Sequence, residues 1–380
     1  MKILFLSRNL PPLVGGMERL NSHILKSLVN IATVSVSGPN GCQNFVGGVN
    51  KIILSPALPV WKYLVTCFIK TLCFAMGKKF DFVFCGSGAA VLTGYFAAKF
   101  TSAKLICYLH GLDIIVENKI YQCIFLPLIR RCDILIVNSN YTKSLAIHAG
   151  IDEKKITILN PGVEIPDFSE VVVKANEFKK KYDVERKKII LIAGRITPRK
   201  GIVEFVESLM SDFVSEFENV HLIIVGGEAV DAIQQTRGVS EKIHSAIHEL
   251  NLHKYVSVLG KLTDDELDSA FFAASVMAFP VLSLPGDVEG FGMVALEAAA
   301  HGVPTVAFDV GGVSDAVSEG ISGSLVSGGD YKKMYVEIKN YLELEHLGNN
   351  KSVKFAQLFE WTCFQDKLFM ILRGGDESGK

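Results

Sequence analysis

Two stretches of the 380-residue chain hold residue types whose spacing could do chemistry. In Asp287-Val288-Glu289-Gly290-Phe291-Gly292-Met293-Val294, glycines precede an Ala- and Leu-rich run with helical character that carries Glu297. Backbone amides of Gly292, Met293 and Val294 at such a helix start are free to hold phosphate oxygens. Glu289 before them and Glu297 about two turns in suit sugar hydroxyls, because one carboxylate accepts both O–H groups of a diol. The second stretch is Gly194-Arg195-Ile196-Thr197-Pro198-Arg199-Lys200-Gly201. Arg195 offers a forked donor and Lys200 a point charge, a pair suited to one diphosphate.

Two further places are weaker alone. Gly15-Gly16 opens a helical stretch after the first apolar run, where paired glycines let backbone approach a ligand; a plain strand-to-helix turn reads the same way. His110, followed by Gly111, ends the run KLICYL and points either into a ligand cleft or into a structural hydrogen bond. The GxGxxG dinucleotide fingerprint does not occur after the first strand, and no acid ends the second strand, VSVSGPN, which argues against an NAD-dependent oxidoreductase.

These residues need a frame, and the chain supplies one. Continuous apolar runs at 2–7, 81–87, 104–111, 133–139, 187–194, 221–227, 256–261, 275–280 and 304–312 end in Gly, Ser, Asn, His or similar turn residues. Runs without alternation imply a sheet covered on both faces, and the helical stretches between them imply parallel α/β units. The alternation breaks at 164–186, and strands stop after 329. The reading is therefore an α/β protein with two Rossmann-like, doubly wound domains, 1–165 and 166–350, and a helix 351–372 that packs back on the first. In such sheets ligands gather beyond the carboxyl ends of strands, where all four of these sequences fall.

Charge is unevenly divided. Residues 1–165 hold 17 Lys and Arg against 8 Asp and Glu, net +9; the remainder holds 22 against 32, net −10. Between Glu18 and Asp81 there is no acid at all. An anionic partner is expected on the first half, and charge alone leaves open a phosphorylated ligand, an anionic membrane surface or nucleic acid. Pro56 to Met76 is apolar but interrupted by Lys62 and Lys70, which fits an interfacial helix burying Trp61, Tyr63, Leu64, Phe68 and Leu72 better than a spanning one; a core helix with two exposed lysines is the alternative. The eight cysteines form no CxxC pair, the start MKILFLSRNLPP is too short in apolar residues for a secretory signal, and a reduced, cytoplasmic setting is the expectation.

Together, Gly15-Gly16, His110-Gly111, Arg195 with Lys200-Gly201, and Glu289 seven residues before the Glu297 of its helix resemble the retaining glycosyltransferase family 4, of GT-B fold, over nearly the whole chain. The resemblance implies two domains facing a cleft and transfer from a UDP- or GDP-sugar to a glycan or polyprenyl-diphosphate-linked acceptor. Cell-surface polysaccharide assembly, such as O-antigen, lipopolysaccharide or capsule, is the setting it implies, peripheral on the cytoplasmic membrane face, with no cofactor, no metal and no nucleic acid. His110, Arg195, Lys200 and Glu289 would be catalytic, the last binding the donor sugar. Gly15, Gly16, Phe291, Gly292, Met293, Val294 and Glu297 would bind the donor, Glu297 at the ribose. The loop PVLSLPGDVE is longer than the family's, and Gly311-Gly312 leads to Ser314-Asp315 where the family often has Glu. A GT-B protein that only binds or isomerises a nucleotide sugar needs the same residues.

Overall fold

The computed structural model describes residues 1–228, 238–344 and 350–374. The chain divides into two compact units: Met1–Gly162 with the segment beginning at Trp361, and Val163–Glu360.

The first unit is a parallel sheet of β1 (Lys2–Leu6), β2 (Thr33–Pro39), β3 (Lys51–Ser55), β4 (Phe82–Cys85), β5 (Lys104–Leu109), β6 (Ile134–Val137) and β7 (Ile156–Ile158). Its strand order is β3-β2-β1-β4-β5-β6-β7. Alternate residues of one strand feed different cores: Ile3, Phe5, Ile106 and Tyr108 enter one cluster, while Leu4, Leu6, Leu105 and Cys107 enter the other. Two buried faces at a side-chain period of two make the strand sequence continuously apolar. Helices form where the period changes to 3.6. In Gly16–Ile31 the buried positions Leu20, Ile24 and Leu28 recur every four residues, and the outer face carries Arg19, Lys26 and Asn30.

The second unit repeats the plan with β8 (Lys188–Ala193), β9 (Val220–Val225), β10 (Val256–Gly260), β11 (Val276–Phe279), β12 (Thr305–Phe308) and β13 (Gly323–Val326), ordered β10-β9-β8-β11-β12-β13. Ile190 and Ile192 face one core, Ile189 and Leu191 the other. Of the strands outside the apolar runs, β3, β7 and β13 are at sheet edges, and β2, read from VSVSGPN, lies inside its sheet. In each sheet the order reverses direction beside the first strand, between β1 and β4 and between β8 and β11. Loops leaving the carboxyl ends there diverge to opposite faces and leave a crevice.

Three sequence expectations change. The units part at Gly162/Val163, not after residue 165, and the helix read as 351–372 is two, Asn350–Gln357 and Trp361–Arg373. Only the second groups with the first unit: Phe364, Leu368 and Leu372, spaced by four, join Leu20 and Ile24 in one core. In the helix Val60–Ala75, Tyr63 is buried, Leu64 and Leu72 pack on the core, and Phe68 meets Phe96 edge-on with centroids 5.6 Å apart. Of the residues expected in a bilayer, only Trp61 lies outside, joined there by Val65 and Ile69. Asp264 is the first residue of its helix, and the cap is Thr263, whose hydroxyl accepts from Glu266 N while Glu266 accepts from Thr263 N. No described helix is long and apolar enough to cross a membrane.

Leu368 is fully buried, so Leu368→Ala should lower unfolding stability by about 2–5 kcal/mol, whereas Asp366→Ala on the exposed side should move it by less than about 0.5 kcal/mol. Urea midpoints of the two variants compare these directly; equal midpoints would mean the helix carries no core load.

Candidate functional site

In the second unit, β8 and β11 are neighbours, and the loops from their carboxyl ends meet through charge. After β8 the chain runs through Gly194 and exposed Arg195 into a single 3-10 turn, Pro198–Lys200. Gly201 then takes φ 63°, where a Cβ would collide with the Pro280 carbonyl of the loop after β11. The two loops thus touch backbone to backbone, which only glycine allows.

The turn sends Arg199 and Lys200 to the same partner. Arg199 is buried; its Nε donates to Asp287 Oδ1 at 3.0 Å and its Nη1 to Glu289 Oε2. Lys200 Nζ donates to that same Glu289 oxygen at 2.7 Å and lies 4.5 Å from the centre of the Phe279 ring. Burial pushes the Glu289 carboxyl up, but the adjacent charges of Lys200 and Arg199 outweigh it and hold its pKa at about 2. Burial also pushes the Lys200 ammonium down, with Glu289 opposing. The backbone of Glu289 is pinned as well: its carbonyl accepts from Gly312 N at 2.8 Å, and Gly311, at φ 65°, sits against it where a Cβ would clash. The second glycine pair therefore serves the first loop.

Beyond Glu289 the loop ends at Gly292, at φ 93°, and the helix Met293–Ala300 begins with no side-chain cap. The amides of Met293 and Val294 are the donors a helix start leaves over. The Phe291 side chain is in the core beside Phe359, so only its backbone can serve a ligand. Glu297 is half-buried one face along the same helix. Thr197 is a residue the sequence reading passes over: its hydroxyl is buried in the loop after β8 without a hydrogen-bond partner.

In the first unit the corresponding loops are tied by neutral and singly charged bonds. His110 Nε2 lies 2.9 Å from the Gly86 carbonyl, at the carboxyl end of β4. Asp113 accepts from His110 N at 3.0 Å and from Gly88 N at 3.1 Å, joining the loops after β4 and β5. Gly15 precedes the helix in extended conformation and Gly16 is its first residue. Glu18 closes this loop by accepting from Asn9 Nδ2 at 2.7 Å. The buried Asn21 Oδ1, near Gly86, has no partner.

The structure thus brings Lys200 and Glu289 into one cluster, with Arg195 close enough to depress the lysine. It adds Arg199, Asp287 and Asp113, which the sequence reading leaves out of the site. Arg199 is hidden in sequence by its neighbours: Arg195, Arg199 and Lys200 look alike until the 3-10 turn sorts them. Among the described residues, no three His, Cys, Asp or Glu side chains gather as a metal-binding group.

Two parallel-sheet α/β units with ligand-type loops at both strand-order reversals define a GT-B protein, and comparison agrees. Residues 14–165 match the model for glycosyltransferase family 4, and residues 173–357 that for glycosyl transferases group 1. The chain belongs to glycosyltransferase family 4. An Anabaena protein, HepE, solved in complex with UDP, superposes with a TM-score of 0.80 at 20% identity, covering 98% of this chain and 100% of that one. Sucrose-phosphate synthase of Thermosynechococcus elongatus gives 0.77 at 17% identity over 98% of each chain. The GDP-mannose-dependent alpha-(1-6)-phosphatidylinositol monomannoside mannosyltransferase of Mycobacterium tuberculosis is 26% identical over 64% of this chain and 62% of its own length. The D-inositol 3-phosphate glycosyltransferase of Mycolicibacterium smegmatis is 29% identical over 62% of this chain and 51% of its own length. The matched region thus spans less than two thirds of these relatives.

Because Glu289 is held far below an ordinary carboxyl, it stabilises the fold fully above about pH 4.5 and loses this as the pH falls toward 2. Arg199→Met strands Asp287 and weakens that hold. Its cost should be about 3–5 kcal/mol near neutral pH and should shrink toward pH 2. Urea midpoints of both proteins across that range measure the difference; a gap independent of pH would deny the ion pairs their part.

Proposed function

We propose that the chain transfers a hexosyl or N-acetylhexosaminyl group, with retention, from a UDP- or GDP-sugar to a glycan or polyprenyl-diphosphate-linked acceptor. The setting proposed is cell-surface polysaccharide assembly, of O-antigen or capsule type, at the cytoplasmic face of the membrane, with no cofactor and no metal. The observation that carries the transfer is the group of three cations, Arg195, Arg199 and Lys200, against two carboxylates, Asp287 and Glu289, next to an uncapped helix start. Arg199 and Lys200 balance the two acids, so the cluster with Arg195 keeps a surplus of one positive charge in a unit of acidic composition.

That surplus suits a departing nucleoside diphosphate. As the bond from the anomeric carbon to the diphosphate oxygen breaks, negative charge grows on phosphate, and fixed cations and helix amides lower its energy most at that stage. The acceptor oxygen bonds to the anomeric carbon, and its proton passes to the departing phosphate oxygen. Glu289, ion-paired on Oε2, orients Lys200 and meets the donor sugar; it is not free to act as a nucleophile. Glu297 holds the ribose, and His110 meets the transferred sugar. Gly15 and Gly16, with Phe291, Gly292, Met293 and Val294, offer backbone amides.

Lys200→Met should lower transfer by at least about a hundredfold, the scale for losing one donor to developing charge, while Arg199 still neutralises Glu289 and keeps the fold. Glu297→Gln should instead raise KM for the donor. Nucleoside diphosphate release across common UDP- and GDP-sugars identifies the donor and gives the assay. Wild-type turnover by Lys200→Met would refute its role, and binding without release for every donor tried with lipid-linked acceptors would favour a binding protein.

A further inference from the structure

We propose that the outer face of the helices Val60–Ala75 and Val91–Thr101 is the surface by which the first unit docks on an anionic lipid bilayer. This rests on the lipid-linked acceptor proposed for the chain and assigns its membrane contact to named residues.

The apolar exposure is patterned. In Val60–Ala75 the exposed positions are Trp61, Lys62, Val65, Ile69, Lys70 and Cys73, so Trp61, Val65, Ile69 and Cys73 form a stripe at every fourth residue. Trp61 is 67% exposed and Ile69 56%. The helix Val91–Thr101 packs beside it and exposes only Phe96, Lys99 and Phe100. Other described helices mix exposed apolar groups with polar and acidic ones, as Val171–Lys181 does with Val172 and Val173 beside Asn176, Glu177 and Lys180, or show none. Gly16–Ile31, on the other face of the same sheet, turns Arg19, Lys26 and Asn30 outward, and Ile202–Glu216 of the second unit shows Glu207, Ser211, Asp212 and Glu216. A stripe of large apolar groups facing water costs solvation free energy, and one that runs over two adjacent helices without a carboxylate marks a binding surface.

Charge selects the occupant. Neither helix contains a carboxylate, and the exposed polar residues on this face are lysines. At the end of the second helix the face runs into a cleft of about 610 Å³ lined by Tyr95, Lys99, Lys104, Arg130, Arg131 and Lys155. Its one acid, Asp133, turns its carboxylate to Leu105 N at 2.7 Å. Lys99 and Arg131 flank the Tyr95 ring, 5.7 and 5.9 Å from its centre. Among the described residues none of the five cations is in an ion pair. Apolar rings beside unpaired cations match a bilayer interface, where rings enter the acyl boundary and cations meet lipid phosphates. A partner protein of ordinary composition would be met with acids as well as bases.

Vesicles of phosphatidylglycerol and of phosphatidylcholine, with the full chain, test this. The protein should sediment with phosphatidylglycerol, be released by salt, and bind phosphatidylcholine weakly. Lys99→Glu and Arg131→Glu should each lower partition by at least about fivefold, and Trp61→Ser/Val65→Ser/Ile69→Ser by at least about tenfold. Trp61 is one of two tryptophans, and Trp361 is stacked on His23 at 3.7 Å. The emission should therefore shift to the blue on phosphatidylglycerol, and Trp61→Phe should abolish the shift. Equal binding to both lipids, no binding, or wild-type partition by these variants would overturn the proposal, as would loss of self-association in the triple variant in place of vesicle binding. UDP and GDP binding by the same proteins separates the two readings. Nucleotide binding without vesicle binding defeats the docking surface alone, and the reverse defeats the transferase reading alone.

Discussion

The buried carboxylate of Glu289 sets the constraint on which the second unit's loops depend. A charge taken out of water costs several kcal/mol unless it is paired and hydrogen-bonded, so its position dictates where its partners must be. Both partners come from the loop after β8, while Glu289 and Asp287 come from the loop after β11. Satisfying one carboxylate thus fixes two loops across the place where the strand order reverses. Gly201 against Pro280 and Gly311 against Glu289 are the steric side of the same constraint, since the charges meet only if the backbones touch. The residues after Glu289 inherit its position. Gly292 and the start of the helix Met293–Ala300 are three residues on, and the amide donors are aimed by the same cluster.

Among the described residues, the first unit solves the same topological problem without a buried ion-pair cluster. Asp113 ties the loops after β4 and β5 by accepting two backbone amides, and the His110 ring is set by the Gly86 carbonyl. Backbone hydrogen bonds hold position at smaller cost in desolvation. The division fits the chemistry proposed: fixed positive charge is needed where a diphosphate departs, and little is needed where a sugar hydroxyl is oriented.

Most of this fold is legible in the sequence where burial leaves a pattern, and illegible where geometry sorts equals. The central strands show because both faces of each are buried, Ile3 and Phe5 into one core and Leu4 and Leu6 into the other. Edge strands β3, β7 and β13 are shorter of core, and their sequences carry less signal. The glycine loop before Met293 is readable because a helix start with glycines and flanking acids has few other uses. Arg199 is not, because nothing in Arg195-Ile196-Thr197-Pro198-Arg199-Lys200 tells which cation a 3-10 turn will bury. The helix Val60–Ala75 misleads for another reason. With apolar residues on both sides, its periodicity does not say which side is inward, and Tyr63, Leu64 and Leu72 take the core while Val65 and Ile69 stay out.

That ambiguity carries its own meaning. A helix needs one buried stripe to pack on a sheet, and Tyr63, Cys67, Thr71 and Ala75 supply it here, the Thr71 hydroxyl bonded to Ser37. The second stripe does nothing for the packing, so the fold alone gives no reason for it. The excess positive charge of the first unit raises the same question. Ligand loops of a parallel sheet lie at the carboxyl ends of strands, whereas Lys104 opens β5 and Arg130, Arg131 and Lys155 flank the amino ends of β6 and β7. Those cations are at the wrong edge of the sheet to meet a ligand bound beyond the carboxyl ends of these strands. The Val60–Ala75 helix connects the two edges, since it returns from the carboxyl end of β3 to the amino end of β4. Its outer stripe therefore runs the length of the strands along one side of the unit, with the basic cleft at the amino edge. Unused apolar surface and unused positive charge on the same side have one common physical use, which is contact with a surface that is itself apolar beneath and anionic on top.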